Sequence, residues 1–505
     1  MTSRGRFERG SRLGWARALA SLAFVCALAA CTTTPEPDPL AAERAEIAER
    51  MRADITTLAS DAFGGRKPGT PGEERTLAFL SQRMAETGLV SGTNDPGSAW
   101  RGAVPLVSTI PLESRITMRT NKGSITFDPD EAVAYTSSRR ALVDGTGVVF
   151  VGEDAGEVPP EAMIGRIVVM RGRPVINSPR RDHVFQARPA AVVTVLENEA
   201  EIAEVEALLG RERIALQSEA NDRFTAFVTR EALAEALPAG AWDALVQRAR
   251  GDDFMFEELE ATIAIDARTE RREFVSANLL GLLPGTMRGA GTVLVLAHWD
   301  HLGECAPGKP DPICNGAIDN ASGIAAMLEL ARRLGASGPH DRDILFLATS
   351  AEEFGLLGAK AFVARPPMPL DSIVAAFNLD TAAVAPAGSA VGFVGEGRTA
   401  LDEIVLRTLR EQGRELGDRD FAETFVQRQD GWVLLDEGVP TVLLSTSFGS
   451  RLVLGPYLTE AYHKPGDEGR SLELGGAIDD ILLHEALLTR IASTSAYPGA
   501  YPARD

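Results

Sequence analysis

Apolar and polar positions follow different rhythms in different parts of this chain. Ile47, Met51, Ile55 and Leu58 recur at helical spacing, which predicts an amphipathic helix over residues 41–60. A second helix is expected to start at Thr70-Pro71-Gly72-Glu73. Thr70 is placed to cap it, Pro71 fits the first helical position, and Glu73 completes a capping box. Leu77, Leu80 and Met84 form its apolar stripe and Gly88 its stop. From Gly291 the rhythm changes. TVLVLA (292–297) is a continuous apolar run, as expected of a strand buried on both faces. Ile324, Met327, Leu328, Ala331 and Leu334 mark a helix ending at Gly335, and DILFLAT (343–349) and IVAAFNL (373–379) are further strands. A helix at 398–412, a strand at 439–445 and a helix near 476–492 follow. This alternation predicts an α/β fold with a mostly parallel central sheet flanked by helices. The middle, 130–260, differs. GVVFVG (147–152), RIVVMRG (166–172) and AAVVTVL (190–196) are short strands separated by polar turns. They read as a β-rich inserted domain, or alternatively as an extension of the main sheet.

Composition narrows the classes. The chain has 505 residues, 45% of them apolar and 24% charged. That is the balance of a protein with a packed core, long enough for two or three domains. With 51 basic and 71 acidic residues the formal charge is −20. Nucleic-acid binding rests on clustered positive charge, so no nucleic-acid partner is expected. Only six histidines and four cysteines occur, so a disulfide scaffold is excluded.

The first thirty residues read as an export address. Arg4, Arg6, Arg9, Arg12 and Arg17 precede an apolar run from Ala18 to Ala30, too short for a membrane span of about 20 residues. The run ends in Leu28-Ala29-Ala30-Cys31, which resembles a bacterial lipobox. Cys31 is then the lipidated N-terminus, and residues 31–40 a Pro-rich tether. The protein is expected in the bacterial cell envelope, facing the periplasm and lipid-anchored to a membrane, with the outer membrane favoured. Cys26 leaves with the signal. Cys305 and Cys314 are expected to pair in that oxidising compartment.

Candidate chemistry gathers at strand ends, where open α/β sheets place their sites. His298-Trp299-Asp300-His301 follows the strand 292–297, and Asp319 lies in the loop Gly316-Ala317-Ile318-Asp319-Asn320 that opens the next helix. Glu352-Glu353 follows 343–349, Asp380 closes 373–379, and Tyr462-His463 precedes the last helix. Imidazoles and carboxylates together make a mixed N/O site that suits zinc, cobalt or manganese. More than four such groups from separate strand ends exceed the needs of one ion and point to a pair.

At these residues the sequence resembles the co-catalytic zinc aminopeptidases, the group of aminopeptidase S, aminopeptidase Y and the glutamate carboxypeptidase relatives. The matching segments are AHWDHLG (297–303), NGAIDNASG (315–323), ATSAEEFGLLGA (348–359), FNLDT (377–381) and AYHKPGDE (461–468), with LASDAFGGRKPGTPGEE (58–74) ahead of them. The middle region resembles the protease-associated domain that many members carry.

The resemblance implies an organisation of 1–30 signal, 31–40 tether, 41–129 first part of the catalytic domain, 130–260 protease-associated insert, 261–495 second part and 496–505 tail. It implies two zinc ions, with His298 and Asp380 on one, Glu353 and His463 on the other, and Asp319 bridging. Asp300 would accept the second ring N–H of His298 and fix its tautomer. Glu352 would be the general base and Tyr462 the donor to the oxyanion. His301 would be structural. A cis peptide is implied at Asp319-Asn320. The substrate would be a peptide with a free N-terminus. Family members often carry Ser-Asp-His where this chain has Gln429-Asp430-Gly431, which leaves the substrate contacts near that loop open.

Carboxypeptidase or glutaminyl cyclase action on the same fold, or a catalytically inactive binding lipoprotein, are the alternatives. A serine hydrolase is excluded because no G-x-S-x-G follows a strand. A thermolysin-like site is excluded because His484-Glu485 meets Leu488 where the second histidine belongs.

Overall fold

The structure is a computed structural model and describes residues 39–499 apart from 96, 154, 156–157, 173–178, 221–222 and 252. The export signal, Cys26, Cys31 and nearly all of the tether lie outside the described residues. Among the described residues no helix is long and apolar enough to cross a membrane.

Two helices open the described chain, α1 (Pro39–Leu58) and α2 (Pro71–Glu86). Ile47, Met51, Ile55, Leu58, Leu77, Leu80 and Met84 are all buried. Thr70 caps α2 by accepting the Gly72 N–H at 3.2 Å. The capping box is not completed as expected. The Glu73 carboxylate turns outward from the helix and accepts the Gly69 N–H and the Ser276 hydroxyl instead.

The strands that follow include β1 (Arg101–Thr120), β2 (Ala132–Tyr135), β3 (Arg140–Phe150), β4 (Ile167–Arg171), β5 (Ala191–Leu196), β6 (Arg213–Leu216), β7 (Thr225–Thr229) and β8 (Glu257–Leu283). Strands β3, β4, β5 and β7 lie parallel in that order, with β2 antiparallel on β7. Beyond the three expected strands the region also holds helices, α3 (Glu199–Leu209), α4 (Arg230–Ala236) and α5 (Ala241–Arg248). Ile202, Val205 and Leu209 bury one face of α3. This lobe has a core of its own around Phe150, Val169, Val193, Val228 and Trp242.

Strands β1 and β8 were not anticipated. They pair antiparallel from Ala261↔Thr120 to Leu279↔Arg101. Pro105 and Pro111 inside β1 disguise it, because proline cannot donate to a ladder. Pro111 sits at the one register shift, where Arg268 faces Glu113 and Thr269 faces Pro111. Leu112 is the extra residue of that bulge and is exposed.

The second half of the chain supplies β9 (Thr292–His298), α6 (Ser322–Ala336), β10 (Asp343–Thr349), α7 (Leu357–Ala364), β11 (Ile373–Asn378), β12 (Gly392–Val394), α8 (Asp402–Glu411), β13 (Thr441–Ser445), α9 (Arg451–Glu460) and α10 (Gly475–Ile491). The sheet runs β12-β13-β11-β9-β10-β8. Its inner four strands are parallel, while β12 and β8 are antiparallel to their neighbours. Val293 and Val295 face one layer of helices, Leu294 and Leu296 the other. Helix α6 is buried along most of its length, its buried Glu329 held by Arg50 and Arg332. The parallel strands end on one side of the sheet, and every candidate ligand stands there.

One buried histidine lies away from that side. His484 donates its Nδ1–H to the Asp480 carbonyl at 2.7 Å and meets Phe377 edge-on. Burial pushes its pKa down to about 4. As pH falls through 6.5 the unfolded chain takes this proton and the folded one does not, so stability drops until about pH 4. Asp480, which burial pushes up to about 7, works in the opposite direction. Comparison with His484→Leu isolates the histidine. From pH 7 to pH 4.5 the wild type is expected to lose on the order of 2–3 kcal/mol more than the variant, read from urea midpoints. Equal losses would mean that His484 is not held neutral.

Candidate metal centre

Each candidate ligand is delivered by a strand end or by the turn after it. His298 is the last residue of β9. Its Nε2 lies 3.2 Å from Asp319 Oδ1 and 3.8 Å from Asp380 Oδ1. His463 Nε2 lies 2.9 Å from Glu353 Oε2 and 3.3 Å from Asp319 Oδ2. Asp319 thus offers one oxygen to each side. The peptide between Asp319 and Asn320 is cis. The five expected ligands therefore converge.

The donors fit a cation. Glu353 Oε1, His301 Nδ1 and His463 Nε2 are buried and have no hydrogen-bond partner in usable geometry, although Glu353 Oε1 and His301 Nδ1 stand 2.5 Å apart. Buried polar atoms are normally satisfied. Atoms that crowd together without bonding are aimed at a shared point. Charge gives the same result. Burial opposes a charge on His463, yet the Asp319 and Glu353 carboxylates raise its pKa to about 10. The pocket therefore demands positive charge, which metal ions supply while leaving imidazoles neutral. Donor atoms within 4.8 Å of one another form two groups, His298 with Asp319 and Asp380, and His301 with Asp319 and Glu353. The site is a candidate metal centre, and His301 is among its candidate donors.

The contact expected of Asp300 is not the one formed. The His298 Nδ1 faces the Asp300 carbonyl oxygen at 3.2 Å and its carboxylate at 3.8 Å. The carboxylate instead accepts the backbone N–H groups of Glu352 at 3.0 Å and Glu353 at 3.4 Å. One residue thereby ties the His298 strand end to the turn that carries both glutamates. Burial pushes the Asp300 carboxyl up to about 7.

Two supporting residues escaped the sequence reading. Arg66, almost fully buried, donates to the carbonyls of Trp299 (2.8 Å), Leu58 (2.9 Å), Asn315 (2.5 Å) and Gly316 (2.8 Å). It fastens the loop after His298 to the loop before Asp319. Asp467 accepts the N–H groups of Ile318 and Asp319 at 2.9 and 3.1 Å and the Tyr457 hydroxyl at 3.0 Å. It joins the Asp319 turn to the loop of His463. Both stand inside quoted motifs, so the only available signal was an unassigned charge in a matched segment. Cys305 and Cys314 are disulfide-bonded across the short hairpin Gly303–Glu304 and Ile313–Cys314, between His301 and Asp319.

A pocket opens beside the donors. Its lining includes the polar His298, Asp319, Glu352, Asp380, Arg428 and Tyr462 and the apolar Phe425, Leu443, Phe448, Leu454 and Leu458. Burial raises the Glu352 carboxyl well above its usual range. The Tyr462 ring stacks on His463 with centroids 3.8 Å apart, and burial keeps its hydroxyl protonated. Gly431, which follows Asp430, is closely packed. A Cβ there would stand 2.6 Å from Gln429 Oε1 and 2.8 Å from Thr441 Cγ2. Gln429 fills that space, accepting from Asn378 Nδ2 at 2.8 Å and Gly431 N–H at 2.7 Å.

Residues 278–481, which hold every candidate ligand, match the model of peptidase family M28. Through these residues the chain is similar to peptidase family M28. Among M28-like relatives, aminopeptidase YwaD of Bacillus subtilis (strain 168) is 38% identical over 108 residues, 21% of each chain. The vacuolar membrane protease of Candida glabrata is 33% identical over 93 residues, 18% of this chain and 9% of its own. The matched stretch thus spans about a fifth or less of the length of these curated relatives. The solved aminopeptidase from Aneurinibacillus sp. strain AM-1 shares the fold with a TM-score of 0.55 at 18% identity, over 91% of this chain and 98% of its own. The M28 match begins at Asn278, inside β8, and so does not include the lobe built on β2–β7.

Proposed function

We propose that the protein is a zinc-dependent aminopeptidase that removes N-terminal residues from peptides. The observation that carries this reading is Asp319, whose two carboxylate oxygens face two donor groups while Glu352 stands at the same cavity and belongs to neither. The match of residues 278–481 to M28 and the likeness to YwaD support it. His298 and Asp380 would hold one zinc, Glu353 and His463 the other, and Asp319 both. Bound there, zinc supplies Lewis-acid polarisation of the scissile carbonyl and acidification of water.

The chain's own groups do the rest. Glu352, with its backbone N–H fixed by Asp300 and its carboxyl raised by burial, takes a proton from the attacking water and returns it to the leaving amine. Tyr462, held against His463, donates its hydroxyl to the substrate oxygen as negative charge develops. The carboxylates of Glu352 and Asp380 face the cavity and attract a free α-ammonium. The apolar lining of Phe425, Phe448, Leu454 and Leu458 receives an apolar first side chain.

Leucyl-p-nitroanilide is expected to be hydrolysed, with loss of activity on chelation and recovery with zinc. N-acetyl-leucyl-p-nitroanilide is expected to react at least about 100-fold more slowly, since the ammonium contact is gone and a blocked amine must be desolvated beside carboxylates. Equal rates on both would overturn the aminopeptidase reading, and cyclisation of glutaminyl peptides without hydrolysis would replace it by a cyclase.

A further inference from the structure

Between α3 and β7 the chain leaves its own lobe. It returns along β1, where β6 pairs Leu216 with Leu106 and Arg213 with Thr109. This excursion ends against the glutamate turn. Ile214 and Leu216 share one apolar cluster with Val104 and Leu106 of β1 and with Ala351, Leu357 and Ala361, and Phe354 packs onto it. Ala351 and Phe354 bracket Glu352 and Glu353 directly.

The excursion is pinned at both ends. Glu212 pairs with Lys67 at 2.6 Å and accepts the Ser108 hydroxyl. Lys67 follows Arg66, and its side chain packs on Gly303. At the other end, Gln217 donates its backbone N–H to the Pro105 carbonyl at 3.0 Å and its side-chain amide to the Leu106 carbonyl at 3.0 Å.

The glutamate turn needs outside support. Ala351 and Leu356 have φ of 55° and 61°, a region that side chains with a Cβ rarely adopt. The turn is held by Asp300 and by Asn278, which accepts the Ser350 N–H at 3.0 Å. Its apolar backing is the cluster in which Ile214 and Leu216 join Val104 and Leu106 of β1.

We propose that residues 212–217 are a strap by which the inserted lobe positions the Glu352–Glu353 turn, with Ile214 and Leu216 as positioning residues and the Glu212–Lys67 pair as the pin. The strap touches no ligand and lines no part of the cavity. It acts by fixing where the base stands. Its kinetic consequence rests on the aminopeptidase reading.

The test uses the full chain with zinc present. Ile214→Ala and Glu212→Gln are compared with Ile214→Val as the conservative variant. Misplacement of a base by a fraction of an ångström to one ångström costs up to about 100-fold. Ile214→Ala is expected to lower kcat by about 10- to 100-fold with KM within about twofold, and Glu212→Gln by about 3- to 10-fold. Ile214→Val should restore most of the loss. Amide hydrogen exchange of residues 350–357 should speed up in Ile214→Ala while exchange in β9 and β11 stays unchanged. Unchanged kcat together with unchanged exchange at 350–357 would overturn the strap, as would a rise in exchange spread over the whole sheet. If the wild type has no peptidase activity yet exchange at 350–357 rises selectively, the strap stands and the aminopeptidase reading falls.

Discussion

Glu352→Gln is expected to lower turnover by about 10²–10⁴-fold while zinc content and melting temperature hold. The side chain keeps its shape and loses only its capacity to take a proton. The contact that fixes the turn survives, because it is the Glu352 backbone N–H that Asp300 accepts. Neither donor group includes Glu352, so metal binding should not weaken. Neutralising a carboxyl that burial disfavours as an anion should, if anything, raise stability. Steady-state kinetics beside metal analysis of the same sample checks this. A variant retaining more than a tenth of the turnover would move the base elsewhere. Asp430, buried and close in charge to His298 and Asp380, would be the carboxylate to examine next.

The second large effect is expected at Arg66, which stands behind the donors. Its guanidinium serves four backbone carbonyls from three segments, Leu58, Trp299 and Asn315-Gly316. Burial draws its pKa down to about 10, so it remains a cation at neutral pH. Lysine offers a single ammonium in place of a planar fork. Arg66→Lys leaves at least one of these carbonyls without its donor in a dry interior, a loss of roughly 1–3 kcal/mol. The loops of His298 and Asp319 then lose their common fastening, so zinc affinity should fall along with stability. Denaturant midpoints and zinc competition with a chelator read the two losses separately. A midpoint change below about 1 kcal/mol would assign the fastening to the disulfide hairpin and to Asp467.

Much of the site was legible because its parts obey local rules. Continuous apolar runs mark β9, β10 and β11, and the residues just past them must stand at one side of a parallel sheet. His298, Glu353 and Asp380 follow from that alone. The supporting groups were not legible, because their partners are remote. Arg66 reaches Trp299 and Gly316 more than two hundred positions away, and no spacing rule announces such a contact. Asp300 shows the same limit at close range. Its motif placed it beside His298, but the peptide geometry turned its carbonyl to the imidazole and freed its carboxylate for the glutamate turn. In the inserted lobe the obstacle was different. Ile202, Val205 and Leu209 carried a helical signal that strand-like neighbours overshadowed, and Pro105 and Pro111 broke the alternation by which β1 would have been found.

Strand β8 has a bearing on how such proteins can be rebuilt. Its first half belongs to the ladder of the inserted lobe and its second half to the ladder that carries β10, with no turn between. The lobe is therefore not a cassette hung on two flexible joints. Excising it within β1 or β8 would cut across a continuous hydrogen-bonded ribbon, and a chimaera made there would inherit two frayed edges. The seams suited to exchange between relatives lie before Arg101 and after Leu283, so the lobe and the ribbon that bears it form a single unit of transplantation.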